Sequence, residues 1–143
     1  MATFELDRKA IKDYQLKVLN AANQLRNFEE RYLNTLATMV MSRVLKTTPV
    51  RTGRLRRSWK VSRVEVKGND IQLTIYNDAR DNGADESYAS YVEYGHFTRG
   101  RVSWVEGRRM LTMATDEVVA DMNRVWNILF NNFVKEMGLW ILR

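Results

Sequence analysis

Pro49 is the only proline in the 143 residues, and its position divides the chain by the backbone geometry it permits. Its ring removes a backbone donor and pushes the preceding Thr48 away from helical angles, so a helix arriving from the N-terminal side ends by about Thr47. Up to that point the apolar residues keep helical spacing. Ile11, Tyr14, Val18, Ala22 and Leu25 recur at three- and four-residue steps behind Asp7, a side chain suited to an N-cap. Phe28, Tyr32, Leu33, Leu36, Met39, Val40 and Val44 continue to about Lys46, with a break between the two runs near Asn23 to Asn27.

Beyond the proline the period changes. Gly53 adds a second point of backbone freedom, so residues 48–58 read as a turn. Trp59 and Val61, then Val64 and Val66, alternate with polar residues, with a slip of phase at Ser62-Arg63 that a β-bulge would absorb. Lys67-Gly68-Asn69-Asp70 is a turn sequence, and Ile71, Leu73 and Ile75 supply the returning strand of an antiparallel hairpin over 59–76.

Residues 77–87 contain no apolar side chain larger than alanine, which predicts a mobile acidic loop. Tyr88, Tyr91 and Val92 begin a short ordered piece that ends at Gly95, and residues up to 106 form a further loop or short strand around Val102, Trp104 and Val105. A final helix is predicted over 107–137 on the apolar stripe that includes Met110, Ala114, Val118, Val125, Leu129 and Phe133, with Ile128 and Phe130 off that stripe. Gly138 ends it and leaves Leu139, Trp140, Ile141 and Leu142 as an apolar tail that needs a docking surface. The expected architecture is one α+β domain over 1–143, long terminal helices packed on a small antiparallel sheet.

Composition excludes several function classes. With 45% hydrophobic and 28% charged residues the chain can fold around a core. It has no cysteine, which removes disulfides, thiolate nucleophiles and thiolate metal sites, and its single histidine, His96, lies in no zinc-binding spacing. No run of about 20 apolar residues is present and MATFELDRK does not resemble a secretory signal, so a cytosolically made protein with no membrane span is expected. The net charge of +6 suits a partner of negative potential, either nucleic acid or an acidic protein surface.

Two arginine clusters carry that charge. Arg51, Arg54, Arg56 and Arg57 follow the proline turn, while Arg99, Arg101, Arg108 and Arg109 surround the later loop. Each cluster has three readings: a solvated turn, a contact with a neighbouring subunit, or a contact with DNA phosphates. No helix-turn-helix is visible, and Trp59 and Trp104 read as core or interface residues rather than base-stacking platforms. Glu93, beside Tyr94 and His96, and the acids Asp78, Asp81, Asp85 and Glu86 offer no assignable nucleophile, base and orienting group, which argues against an enzyme. The loop acids read as solvated, or as partners for arginines of another subunit.

Two segments taken together resemble the phage tail-completion or head-tail joining family. Thr48-Pro49-Val50-Arg51-Thr52-Gly53-Arg54-Leu55 is similar to that family's proline, threonine-glycine, basic, leucine turn after a long first helix. Tyr88-Ala89-Ser90-Tyr91-Val92-Glu93-Tyr94-Gly95 is similar to its tyrosine-alanine and glutamate-aromatic-glycine segment, and Arg109-Met110-Leu111 stands where the family opens its last helix. The resemblance spans about residues 28 to 125 and implies a non-enzymatic virion protein of the neck or upper tail, without cofactor or metal. It further implies a homohexameric ring around the DNA channel, assembled in the host cytoplasm, with DNA passing through unbound and neck or tail proteins as neighbours. In that reading Pro49, Thr52, Gly53, Leu55, Tyr91, Glu93 and Gly95 are structural. The arginines Arg51, Arg54, Arg56, Arg57, Arg99 and Arg101, the acids Asp81, Asp85 and Glu86, and the tail from Leu139 to Leu142 meet partners. The alternative is a basic nucleic-acid-binding protein.

Overall fold

Arg8–Thr47 form one unbroken helix of 40 residues, α1. The computed structural model describes residues 1–51, 53–80 and 88–139, so expectations resting on Thr52, Asp81, Asp85, Glu86, Trp140, Ile141 and Leu142 lie outside the described residues. Asp7 caps α1 as expected, its Oδ1 accepting from the amides of Lys9 and Ala10 at 3.0 and 3.1 Å. The expected break at Asn23 to Asn27 is absent. Polar side chains there bond along the exposed helix face, Asn27 to Gln24 at 2.7 Å and Arg26 to Glu30 at 3.2 Å, so they support the helix instead of ending it.

Element order continues through α2 (Arg54–Arg57), β1 (Trp59–Val61), β2 (Glu65–Lys67), β3 (Asp70–Gln72), β4 (Ile75–Asn77), α3 (Tyr88–Tyr94), β5 (Gly95–Phe97), β6 (Trp104–Glu106) and α4 (Met110–Glu136). The class is α+β, with three two-stranded antiparallel ladders, β1 with β4, β2 with β3 and β5 with β6. The expected hairpin exists with Trp59 opposite Asn77 and Val66 opposite Ile71. It is broken in the middle, where Ser62 donates its amide to the Thr74 carbonyl at 2.8 Å and accepts the Thr74 amide on its hydroxyl at 2.9 Å. Only Trp59 of its valine and tryptophan residues reaches the core, and Val61 and Val66 stay exposed.

The chain divides into two compact units, residues 1–32 with 123–143 and residues 33–122. In the first, Phe28 is fully buried among the rings of Trp126, Phe130 and Phe133, with centroids 5.0 to 5.7 Å away, and Ala21 and Leu139 complete the cluster. Edge-on and tilted ring pairs of this kind contribute roughly 0.5–1.5 kcal/mol each beyond burial. Burial also pushes the Tyr32 phenol above its ordinary pKa. The early stripe Ile11, Tyr14 and Val18 remains exposed. The reason is length: residues 8–32 of α1 span about 37 Å, whereas residues 123–136 of α4 span about 21 Å and cannot cover all of it.

In the second unit Val40 and Val44 of α1, Leu55, Trp59, Ala79, Ala89, and Met110, Ala114 and Val118 of α4 form one core. Ala79 is a correction to the expectation that nothing in 77–87 is anchored, since it is 2% exposed. At one side of this core Arg43 bridges to Glu117 at 2.8 Å and Asp121 at 3.4 Å. Beyond α4, the amides of Gly138 and Leu139 bond back to the carbonyls of Lys135 and Val134 at 3.0 Å, which ends the helix where the glycine predicts.

Candidate functional site

The proline turn is built around a buried hydroxyl. Thr48 is 3% exposed, donates through Oγ1 to the Val44 carbonyl at 2.6 Å and accepts the indole N–H of Trp59 at 2.9 Å. A buried tryptophan needs such an acceptor, and the turn supplies it from the end of the helix that the proline stops. Thr48→Val, which keeps the shape and removes the acceptor, is expected to lower stability by about 1–2 kcal/mol in urea titration, while Thr48→Ser retains most of it. An unchanged midpoint for the valine variant would contradict this account.

From Gly53, with φ 71°, the chain enters α2, whose Leu55 points into the core while Arg54, Arg56 and Arg57 stay exposed. Asn77 ties this turn to the sheet by donating its side-chain amide to the Leu55 carbonyl at 2.8 Å and accepting the Ala79 amide at 2.9 Å. Arg54 donates to the backbone carbonyl of Arg80. That contact brings together residues 26 positions apart beside a cleft of about 330 Å³ lined by Arg51, Arg54 and Arg80 with Pro49, Leu55 and Tyr88. The cleft is basic at its walls and apolar at its base.

The short ordered piece expected at the second motif is a helix, α3, and its Glu93 is 5% exposed. Its carboxylate accepts the amides of Leu111 and Thr112 at 3.0 and 2.8 Å and the Thr112 hydroxyl at 2.9 Å. A negative charge on unpaired amides at a helix start is favourable both as hydrogen bonding and against the helix dipole. The arrangement is reciprocal, because the amides of Arg108 and Arg109 in turn satisfy the Val92 and Glu93 carbonyls at 2.7 and 3.0 Å. Glycine makes the approach possible. A Cβ on Gly107 would lie 2.2 Å from the Glu93 carbonyl oxygen, and one on Gly95, at φ 89°, would lie 2.5 Å from the Val105 carbonyl oxygen.

Between these glycines β5 and β6 form a hairpin, where only a loop or short strand was expected. Phe97 and Trp104 pack edge to face at 5.0 Å across it, yet both remain more than half exposed. Its tip is braced by Thr98, which donates its amide to the Ser103 carbonyl at 2.8 Å and accepts the Ser103 amide on its hydroxyl at 3.0 Å. Arg99 and Arg101 are exposed on this tip, Arg101 with φ 56°. His96 meets Tyr91 edge-on at 5.8 Å.

The structure thus brings Arg51 and Arg54 together with Arg80 and Tyr88, two cleft residues that the sequence reading did not select. It uses Glu93 as a helix cap, and it sets Leu139 against Phe28 and Phe133 of its own chain. Gly107 and Asn77 were also missed, because neither sits in a periodic pattern. Among the described residues no group of three or more His, Cys, Asp or Glu could hold a metal ion, and no helix is long and apolar enough to cross a membrane. No curated protein and no solved structure matches the chain. Residues 12–95, which carry most of α1, the arginine turn, the hairpin and Glu93, match the family described as "Bacteriophage HK97-gp10, putative tail-component". By that match the chain belongs to the HK97-gp10-like family of bacteriophage tail components.

Proposed function

We propose that this tail component is a structural subunit of a homo-oligomeric ring, a homohexamer around the DNA channel in the neck or upper tail, that completes the tail or joins it to the head and catalyses no reaction. The observation that carries this reading is the apolar surface left in water on a braced hairpin: Val102 is 85% exposed, Phe97 57%, Trp104 51% and Val105 42%. Each large apolar side chain covered by a neighbour gains roughly 1.5–3 kcal/mol, and a monomer forgoes all of it. Arg51, Arg54, Arg56, Arg57, Arg99 and Arg101, the acids Asp81, Asp85 and Glu86, and the tail beyond Leu139, from Trp140 to Leu142, meet neighbouring subunits or adjoining virion proteins in this reading, while Leu139 itself packs on its own chain.

Light scattering on the purified chain tests it. An assembled species is expected, and Val102→Asp with Trp104→Arg, both at exposed positions, is expected to release monomers of unchanged circular dichroism. A wild-type chain that stays monomeric at every concentration removes the ring. DNA contact in such a ring is weak; saturable binding with a log-log salt slope near −0.9 per phosphate favours the nucleic-acid-binding alternative.

A further inference from the structure

We infer that the cleft over Pro49, Leu55 and Tyr88 is a socket for an acidic segment of a different virion protein, held by a carboxylate between Arg51 and Arg80; this rests on the proposed role as a tail subunit. Three arginines line one concave site, from the proline turn, from α2 and from the stretch that follows β4. Gathering like charges costs free energy unless an anion joins them. Among the described residues neither Arg51 nor Arg80 has a carboxylate partner, and both are exposed at the cleft wall. Planar guanidiniums donate two parallel hydrogen bonds to a carboxylate, which a solvated turn does not require.

Size and lining select the occupant. About 330 Å³ holds a few side chains, not a duplex, and the apolar base formed by Pro49, Leu55 and the half-exposed Tyr88 suits an aliphatic residue beside the acid. A phosphodiester chain offers no such group. A second copy is a poorer fit by charge, because its acid run Asp81 to Glu86 follows directly on Arg80 and would bring its own arginines towards those of the cleft.

Fluorescence anisotropy on the full chain tests this with three probes: a short peptide alternating glutamate with leucine, a peptide of the chain's own residues 78–87, and a short DNA duplex. The glutamate-leucine peptide is expected to saturate, and Arg51→Ala with Arg80→Ala to weaken it about tenfold or more while leaving duplex binding and thermal melting nearly unchanged. Arg51→Lys with Arg80→Lys is expected to restore part of the loss, since lysine keeps the charge and lacks the fork. Peptide binding that ignores the double substitution overturns the socket, and equal loss of peptide and duplex makes the cleft a phosphate site instead. Tighter binding of the 78–87 peptide makes the occupant a second copy. A chain that assembles but fails these tests sinks the socket alone, whereas a monomer that passes them sinks only the ring.

Discussion

Glu93→Ala is expected to lower the unfolding free energy by about 3 kcal/mol, because three donors at the start of α4 lose a charged acceptor in a buried position. Glu93→Gln keeps one acceptor oxygen and loses the charge, so about half that loss is expected. Thr112→Ala removes a single donor and should cost about 1 kcal/mol. The graded series distinguishes a cap from an acid of some reaction: an acid would tolerate glutamine in stability and lose an activity. Chemical denaturation of the three variants measures it, and a glutamine variant as stable as wild type would remove Glu93 from its structural role.

Gly107→Ala is expected to be at least as damaging, about 3 kcal/mol or more, and to act on the same junction from the other side. Its Cβ would stand 2.2 to 2.6 Å from backbone atoms of Glu93, Tyr94 and Gly95, none of which can move aside as a flexible side chain does. The chain must separate α3 from the link into α4, which also stretches the bonds from the Arg108 and Arg109 amides. Because Gly107 and Glu93 serve one junction, the double variant should lose less than the sum of the two single losses. Full additivity in denaturation midpoints would show that the two act separately. Gly53→Ala provides a contrast, since the nearest atom to its Cβ is the mobile end of Arg57, leaving chiefly the backbone cost of φ 71°.

Much of the fold was legible because it is written in local spacing. Asp7 starts α1, Pro49 limits it, Gly138 ends α4, and Leu55 and Trp59 return to the core as the turn motif predicts. Local spacing left two segments short of their final form: the Asn23 to Asn27 stretch reads as a break and is helix held by side-chain bonds along its own face, and the short ordered piece from Tyr88 is α3. The stripe at Ile11, Tyr14 and Val18 has the right period to be core and is exposed, since period says which face is apolar and not whether a partner helix is long enough to cover it.

The site divides in the same way. Arg51 and Arg54 are visible as a cluster in the sequence, whereas Arg80 joins them through the pairing of β4 with β1 and the Arg54 contact across 26 positions. Glu93 stands out in the sequence as the glutamate of the glutamate-aromatic-glycine motif, but its task depends on amides 18 and 19 residues later. By itself the amino-acid order determined the two long helices, the reversals, the α+β class and the family, all of which depend on neighbours along the chain. Which acid caps which helix, which glycines touch backbone and which arginines share a cleft was decided only by tertiary packing, because those contacts join residues whose separation in sequence carries no periodic signal.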